Sequence, residues 1–166
     1  MLILQHAIRH SKLVANSEVI LKGTGRYVPT NFFKVWPQLS AIGDVDIIAN
    51  FYQFPAVADS RFFLAKPDIF EEFLFPLIEK INDGKGYYFE HALAEAIQNT
   101  VASGRRWRSF PGGGFLVDGV QGSTNTVYAY PHWKRYAYRA IASLRNGVPF
   151  RWRLGAPVAR HREKPD

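Results

Sequence analysis

The stretch Val19–Tyr27, V-I-L-K-G-T-G-R-Y, decides the fold, because an apolar strand there runs into two glycines that bracket a hydroxyl. Glycine at the end of a strand allows a sharp turn or a close approach of the backbone to a ligand. The flanking Lys22 and Arg26 carry the positive charge that a phosphate or carboxylate requires. The stretch therefore predicts a strand followed either by an anion site or by an ordinary tight turn.

Helical and strand patterns alternate on both sides of this stretch. The predicted helices are Leu4–Ala15, Phe32–Leu39, Ile69–Ile81, Tyr88–Ala102 and Pro131–Leu144, and the predicted strands are Val19–Lys22, Val45–Asn50, Arg61–Ala65 and Phe115–Val120. Such alternation is typical of α/β architecture. We predict a three-layer α/β domain in which the four strands share one mixed sheet, covered by the helices Ile69–Ile81 and Tyr88–Ala102.

Composition limits the class of protein. The 166 residues suffice for one domain with its own core, and 47% hydrophobic with 21% charged residues is typical of a soluble globular chain. The absence of cysteine excludes disulfides and thiolate metal sites. The apolar runs are far shorter than the ~20 residues of a membrane span. The opening Met1-Leu2-Ile3-Leu4 lacks the basic start of a signal peptide, so we expect a cytoplasmic protein.

The positive charge is concentrated at the C-terminal end. Residues 130–166 contain 9 Lys and Arg against 2 Asp and Glu, which accounts for the whole net charge of +7. Aromatic residues such as Trp133 and Tyr136 lie among these cations. The pattern suits a polyanion or the anionic inner face of a membrane, and it also leaves open a nucleic-acid-binding module. We therefore divide the chain into an α/β domain, 1–129, and a basic aromatic helix and tail, 130–166.

Three short motifs carry candidate chemistry. Asp44-Val45-Asp46 has the spacing of a cation site, but a solvated turn before a buried strand is the simpler interpretation, and we assign no metal. In Asp59-Ser60-Arg61 the acid could orient Arg61 or accept a sugar hydroxyl, or the two could form an ordinary surface ion pair. Glu90, beside His91 at a helix start, is favoured there by the helix dipole and could also be a general base.

These motifs, in their order and spacing, resemble a bacterial family of GT-A-type glycosyltransferase-like proteins encoded among capsule and lipopolysaccharide genes. The K-x-T-G-R-Y element is the most specific part of the resemblance, which extends from about Leu4 to Val120. The matching segments are Ser11-Lys12, Asn16-Ser17, Ile20–Tyr27, Asp44–Ile48, Ala58–Phe63 and Tyr88–His91.

The resemblance implies transfer of a sugar from a nucleotide sugar to a saccharide or lipid-linked acceptor in surface polysaccharide biosynthesis, with no tightly bound cofactor and an open requirement for divalent metal. It implies a catalytic role for Glu90, as general base, and for Asp59. It also implies that the donor diphosphate is bound by Lys22, Thr24, Gly25, Arg26 and Tyr27, and the acceptor by Ser60, Arg61 and His91. Six of these residues are expected to converge on one cleft, because α/β folds gather ligand-binding groups at the carboxyl ends of their strands: Lys22, Thr24, Arg26, Asp59, Arg61 and Glu90.

The family's first strands, which would hold the nucleotide, are expected upstream of Met1. This chain would then be the acceptor-side half of the enzyme or a truncated gene product, which argues against turnover by this chain alone. A non-catalytic remnant is the alternative to an enzyme.

Overall fold

The computed structural model describes residues 2–40, 44–120 and 127–128. The predicted helix Pro131–Leu144 and the basic tail lie outside the described residues. The described part is a mixed α/β structure with two small sheets. This agrees with the predicted α/β class.

The larger sheet has four strands. They are β1 (Ile20–Gly23), β3 (Ile47–Gln53), β4 (Val57–Ala65) and β5 (Trp107–Arg108), in the order β1-β4-β3-β5. The pairs β1–β4 and β3–β4 are antiparallel and β3–β5 is parallel, so the sheet is mixed, as predicted. Three of the predicted strands, those beginning at Val19, Val45 and Arg61, therefore do share one sheet.

The prediction that Phe115–Val120 joins that sheet is wrong. The strand β6 (Val117–Val120) instead lies between β2 (Tyr27–Pro29) and β7 (Val127–Tyr128) in a separate three-stranded sheet. The glycines of residues 112–114 explain the difference, because their φ angles of 57°, 82° and 90° are left-handed and cannot continue an extended strand. They turn the chain so that β6 pairs with β2.

Helices cover both faces of the larger sheet. On one face, Ile47 and Ala49 of β3 pack with Leu93 and Ile97 of α6 (Phe89–Ala102) and with the helical run that follows β4. On the other face, Ile48 packs with residues of α3 (Phe32–Ser40) and with Val117 of the second sheet. The alternation of neighbouring strand residues between two cores explains why the Val45–Asn50 run is continuously apolar.

Two predicted helices differ in detail. The predicted Leu4–Ala15 helix is divided into α1 (Leu2–His10) and α2 (Lys12–Ala15), because the Ser11 side chain accepts a 3.4 Å hydrogen bond from the Val14 amide and caps a new helix. The run predicted from Ile69 consists of α4 (Pro67–Ile69), a π-helical turn (Phe70–Leu74) and α5 (Phe75–Ile78). Pro76 has no amide to donate to the preceding turn, which fits the irregular turn just before it.

Candidate functional site

The candidate site begins at an irregularity in β4. Ala49 of β3 pairs with Phe63 and Phe51 pairs with Ala58, so Asn50 alone lies opposite the segment Asp59–Phe62. The pairing of β1 with β4 remains regular on the other side and extends to Thr24, whose amide donates a 2.9 Å hydrogen bond to the Arg61 carbonyl. Bulges of this kind redirect side chains and recur beside active sites. The Asp59-Ser60-Arg61 motif therefore occupies a distorted part of the sheet.

A chain of hydrogen bonds connects this bulge with β1 and with the start of α6. The Lys22 ammonium donates to the Ser60 carbonyl oxygen at 2.6 Å and to the Thr24 hydroxyl at 2.8 Å. The Ser60 hydroxyl donates to Oε1 of Glu90 at 2.6 Å. We call Lys22, Thr24, Ser60 and Glu90 the Lys22–Glu90 cluster. Residues distant in sequence thus meet at one place, and Lys22, Thr24 and Glu90 are among those for which the sequence predicted this.

The ammonium of Lys22 lies in partly apolar surroundings. Its Nζ atom is 5.8 Å from the ring centroid of Phe63 and 5.7 Å from that of Phe89. Burial lowers the pKa of Lys22, and the negative charges of Glu90 and Asp59 oppose this effect without cancelling it. Lys22 is therefore a shielded cation, held by the Ser60 carbonyl and the Thr24 hydroxyl, rather than a solvated surface lysine.

Asp59 and Arg61 form a second charged pair beside the cluster. The Arg61 guanidinium donates to both carboxylate oxygens of Asp59, at 2.9 and 2.7 Å. Their side chains are only 15% and 14% exposed, so the pair is not an ordinary exposed surface ion pair. The guanidinium also lies 5.0 Å from the Tyr52 ring centroid. Asp59 therefore orients Arg61, which is one of the two roles that the sequence suggested.

The start of α6 places Glu90 and His91 differently. Glu90 lies in the first turn, where the helix dipole favours a carboxylate, and its side chain reaches Ser60. His91 accepts a 3.1 Å hydrogen bond from the Tyr88 amide through Nδ1, which completes a capping box, and its ring lies 5.6 Å from that of Tyr87. The contacts of His91 thus shape the helix start, and its role in acceptor binding stays a prediction.

The turn after β1 holds the remaining predicted residues. Gly25 and Arg26 are exposed there, and Tyr27 begins β2 opposite Gly119. Within residues 2–40 and 44–120, no hydrogen bond or ion pair links Arg26 to the Lys22–Glu90 cluster. The structure therefore brings together Lys22, Thr24, Asp59, Arg61 and Glu90 but does not place Arg26 among them, and the diphosphate-binding roles of Gly25, Arg26 and Tyr27 stay predictions.

The Asp44-Val45-Asp46 motif is occupied by protein cations. The Lys66 ammonium lies 3.0 Å from Asp44 and 2.9 Å from Asp46, and the Arg106 side chain pairs with Asp44. Burial would raise the pKa of Asp46, but hydrogen bonds from the Arg106 amide and from Lys66 outweigh it and lower the pKa. In the part of the chain that the structure describes, no group of three or more His, Cys, Asp or Glu could hold a metal ion.

Two buried asparagines that the sequence did not single out fix the glycine loop next to β3. Asn50 donates to the Gly113 carbonyl at 2.9 Å and accepts from the Phe110 amide at 3.0 Å. Asn31 donates to the Gly114 carbonyl at 3.1 Å and accepts from the Leu116 amide at 2.7 Å. The signals that the sequence offered were the place of Asn50 at the end of an apolar run and that of Asn31 just before a helix start.

Comparisons with known proteins add no relative. No protein-family model, curated protein or solved structure matches the chain. Among the described helices, none combines the length and the apolar character that crossing a membrane demands.

Proposed function

We propose that this chain takes part in glycosyl transfer, by binding a saccharide or lipid-linked acceptor and activating its hydroxyl for attack on a nucleotide sugar. We further propose that the chain acts as part of a GT-A-type glycosyltransferase of surface polysaccharide biosynthesis, the family that its motifs resemble. The observation that carries it is the 2.6 Å hydrogen bond from the Ser60 hydroxyl to Glu90, beside the shielded Lys22 ammonium.

Glu90 is suited to general-base chemistry by its surroundings. Ser60 engages Oε1 and so fixes the carboxylate, while in the described part of the chain Oε2 accepts no hydrogen bond. A general base must lie ~2.6–3.2 Å from the heavy atom whose proton it removes, and a carboxylate fixed at one oxygen leaves the other available for such a contact. The neighbouring Asp59 acts by holding Arg61 in place.

The remaining parts of the proposal concern the donor. A nucleotide sugar would approach the exposed turn that contains Gly25 and Arg26, where an arginine can pair with phosphate oxygens. The helices on both faces of a mixed sheet are compatible with a GT-A-type domain. The alternatives from sequence, a non-catalytic remnant and a nucleic-acid module, gain no support from the cluster.

The test is a transfer assay on the full chain. It is incubated with a panel of nucleotide sugars and with oligosaccharide and lipid-linked acceptors, with and without Mn²⁺, and products are detected by mass spectrometry. The proposal predicts a sugar-extended product from this chain, in contrast to the expectation that the chain alone lacks turnover, and product formation should fall by ~10²–10⁴-fold in Glu90→Gln. The exposed Glu79→Gln serves as the matched control and should leave the rate unchanged. No product from any donor, or equal rates for Glu90→Gln and Glu79→Gln, would remove the proposal.

A further inference from the structure

The charges around the Lys22–Glu90 cluster are balanced within the protein. Arg61 is paired with Asp59 through two hydrogen bonds, and Lys22 lies in the attractive field of Glu90 and Asp59. These four side chains therefore sum to no net formal charge. A diphosphate carries more than one negative charge and is favoured where cations are in excess. The cluster lacks that excess.

The hydrogen-bonding groups of the cluster that remain unused suit a ligand with a hydroxyl group. An ammonium has three N–H donors, and Lys22 uses two of them, on Thr24 and the Ser60 carbonyl. Glu90 has one oxygen engaged by Ser60 and, within the described residues, the other without a donor. One remaining donor on Lys22 and one remaining acceptor on Glu90, both held by Ser60, match a single alcohol group, which accepts one hydrogen bond and donates another.

Aromatic surface adjoins these groups. The Phe89 ring centroid lies 5.7 Å from the Lys22 ammonium. The preceding residue, Tyr88, is 46% exposed, and its ring lies 5.7 Å from that of His91. A saccharide presents hydroxyls at its edge and an apolar face of C–H groups, so it can use an aromatic side chain and the polar pair together.

We infer that the Lys22–Glu90 cluster binds a hydroxyl of a neutral saccharide, with Lys22 donating to its oxygen and Glu90 accepting its proton, and that it does not hold the donor diphosphate. This inference assigns Lys22 to acceptor binding, whereas the motif resemblance implied that Lys22 binds the donor diphosphate. Only the identification of this saccharide as the acceptor rests on the proposed function.

The chemistry balances in that case. The acceptor O–H bond breaks and its proton passes to the Glu90 carboxylate. The acceptor oxygen forms a bond to the anomeric carbon as the bond from that carbon to the diphosphate oxygen breaks, and the nucleoside diphosphate leaves with the bonding electrons. Lys22 stabilises the negative charge that develops on the acceptor oxygen.

The experiment is NMR on the full chain labelled with ¹³C at lysine Cε, with the Lys22 signal assigned from Lys22→Arg. The probes are inorganic pyrophosphate and methyl glycosides of glucose, galactose, mannose and rhamnose. We expect saturable shifts of the Lys22 signal with at least one glycoside and none with pyrophosphate. Glu90→Gln should weaken that glycoside's binding by about tenfold or more, the effect of losing a charged hydrogen bond, whereas Glu79→Gln should not.

Each other outcome has a definite meaning. A saturable response of Lys22 to pyrophosphate, or no response to any glycoside, overturns the inference. Glycoside binding without transfer activity keeps the inference and removes the proposed function. Transfer activity together with pyrophosphate binding at Lys22 keeps the proposed function and removes the inference.

Discussion

The ammonium of Lys22 donates a 2.6 Å hydrogen bond to the backbone carbonyl of Ser60, which lies 38 positions away on the neighbouring strand. Ser60 belongs to the segment of β4 where the register with β3 is interrupted. The Lys22 side chain on β1 therefore supports the irregular backbone of β4, and the hydroxyl of Ser60 reaches Glu90. Structural support of the bulge and placement of the carboxylate thus both depend on Ser60.

Replacing Lys22 by methionine tests this support. The substitution keeps the side chain as far as Cε but removes the 2.6 Å hydrogen bond to the Ser60 carbonyl, which keeps only the 3.5 Å hydrogen bond from the Thr24 hydroxyl. Loss of a hydrogen bond to a charged group costs ~1.5–3 kcal/mol. We expect the free energy of unfolding, measured by urea denaturation, to fall by that amount. Lys34→Met, at an exposed position of α3, is the control and should change it by less than ~0.5 kcal/mol. Equal effects of the two substitutions would show that the contact is unimportant.

Gly119 and Gly25 differ in whether the fold leaves room for a side chain at that position. Gly119 has φ of 154°, and a Cβ there would overlap the carbonyl oxygen of Arg26. At Gly25 an added Cβ would meet nothing within 4 Å. We expect Gly119→Ala to lower the thermal midpoint markedly, since strain of this kind costs ~1–3 kcal/mol, and Gly25→Ala to leave it nearly unchanged. A midpoint for Gly119→Ala equal to that of the wild type would contradict the pairing of β2 with β6.

The sequence predicted elements where a single local signal was strong. The continuous apolar run at Val45 predicted a buried strand, and the residues around Phe32 and Phe89 marked helix starts. It predicted β4 too short, because the bulge at Asp59–Phe62 interrupts the alternation that identifies a strand. The two-residue strand β5 is too short to have a period at all.

Contacts between residues distant in sequence were harder to predict than the helices and strands themselves. The convergence of Lys22 and Glu90 was predicted from the tendency of α/β folds to gather polar residues at strand ends. The hydrogen bonds through which Ser60 connects them depend on the bulge, which the sequence did not reveal. The pairing of β6 with β2 depends on the left-handed glycines and on the partners of Asn31 and Asn50, which no local pattern reveals.

The lowered pKa of Asp46 makes stability depend on pH. Burial opposes ionisation, but the Arg106 amide and Lys66 stabilise the carboxylate more, so the folded-state pKa lies below the unfolded value of ~3.9. The resulting stability is present above that value and is lost as pH falls through the folded-state pKa. We expect Asp46→Asn to be less stable than wild type at pH 7 in urea titrations, and the difference to shrink below about pH 4. A difference that stays constant with pH would contradict the assignment.

The basic aromatic tail, residues 130–166, lies outside the described residues, and its predicted contact with an anionic membrane stays a prediction. We expect co-sedimentation of the full chain with vesicles to rise with the fraction of phosphatidylglycerol and to fall with added salt. Substituting Lys134, Arg135 and Arg139 by glutamine should weaken it. Binding that is indifferent to lipid charge and to salt would leave the tail as a solvated basic segment.

The most direct test of the Lys22–Glu90 cluster is the pKa of Lys22 itself, measured from its ¹³Cε signal in the wild type, Glu90→Gln and Glu79→Gln. Burial lowers this pKa, and the Glu90 carboxylate partly opposes the effect. We expect a wild-type value below the usual ~10.4, a still lower value in Glu90→Gln because an attractive charge is removed, and no change in Glu79→Gln. An ordinary pKa that Glu90→Gln does not move would mean that the ammonium and the carboxylate do not share one site.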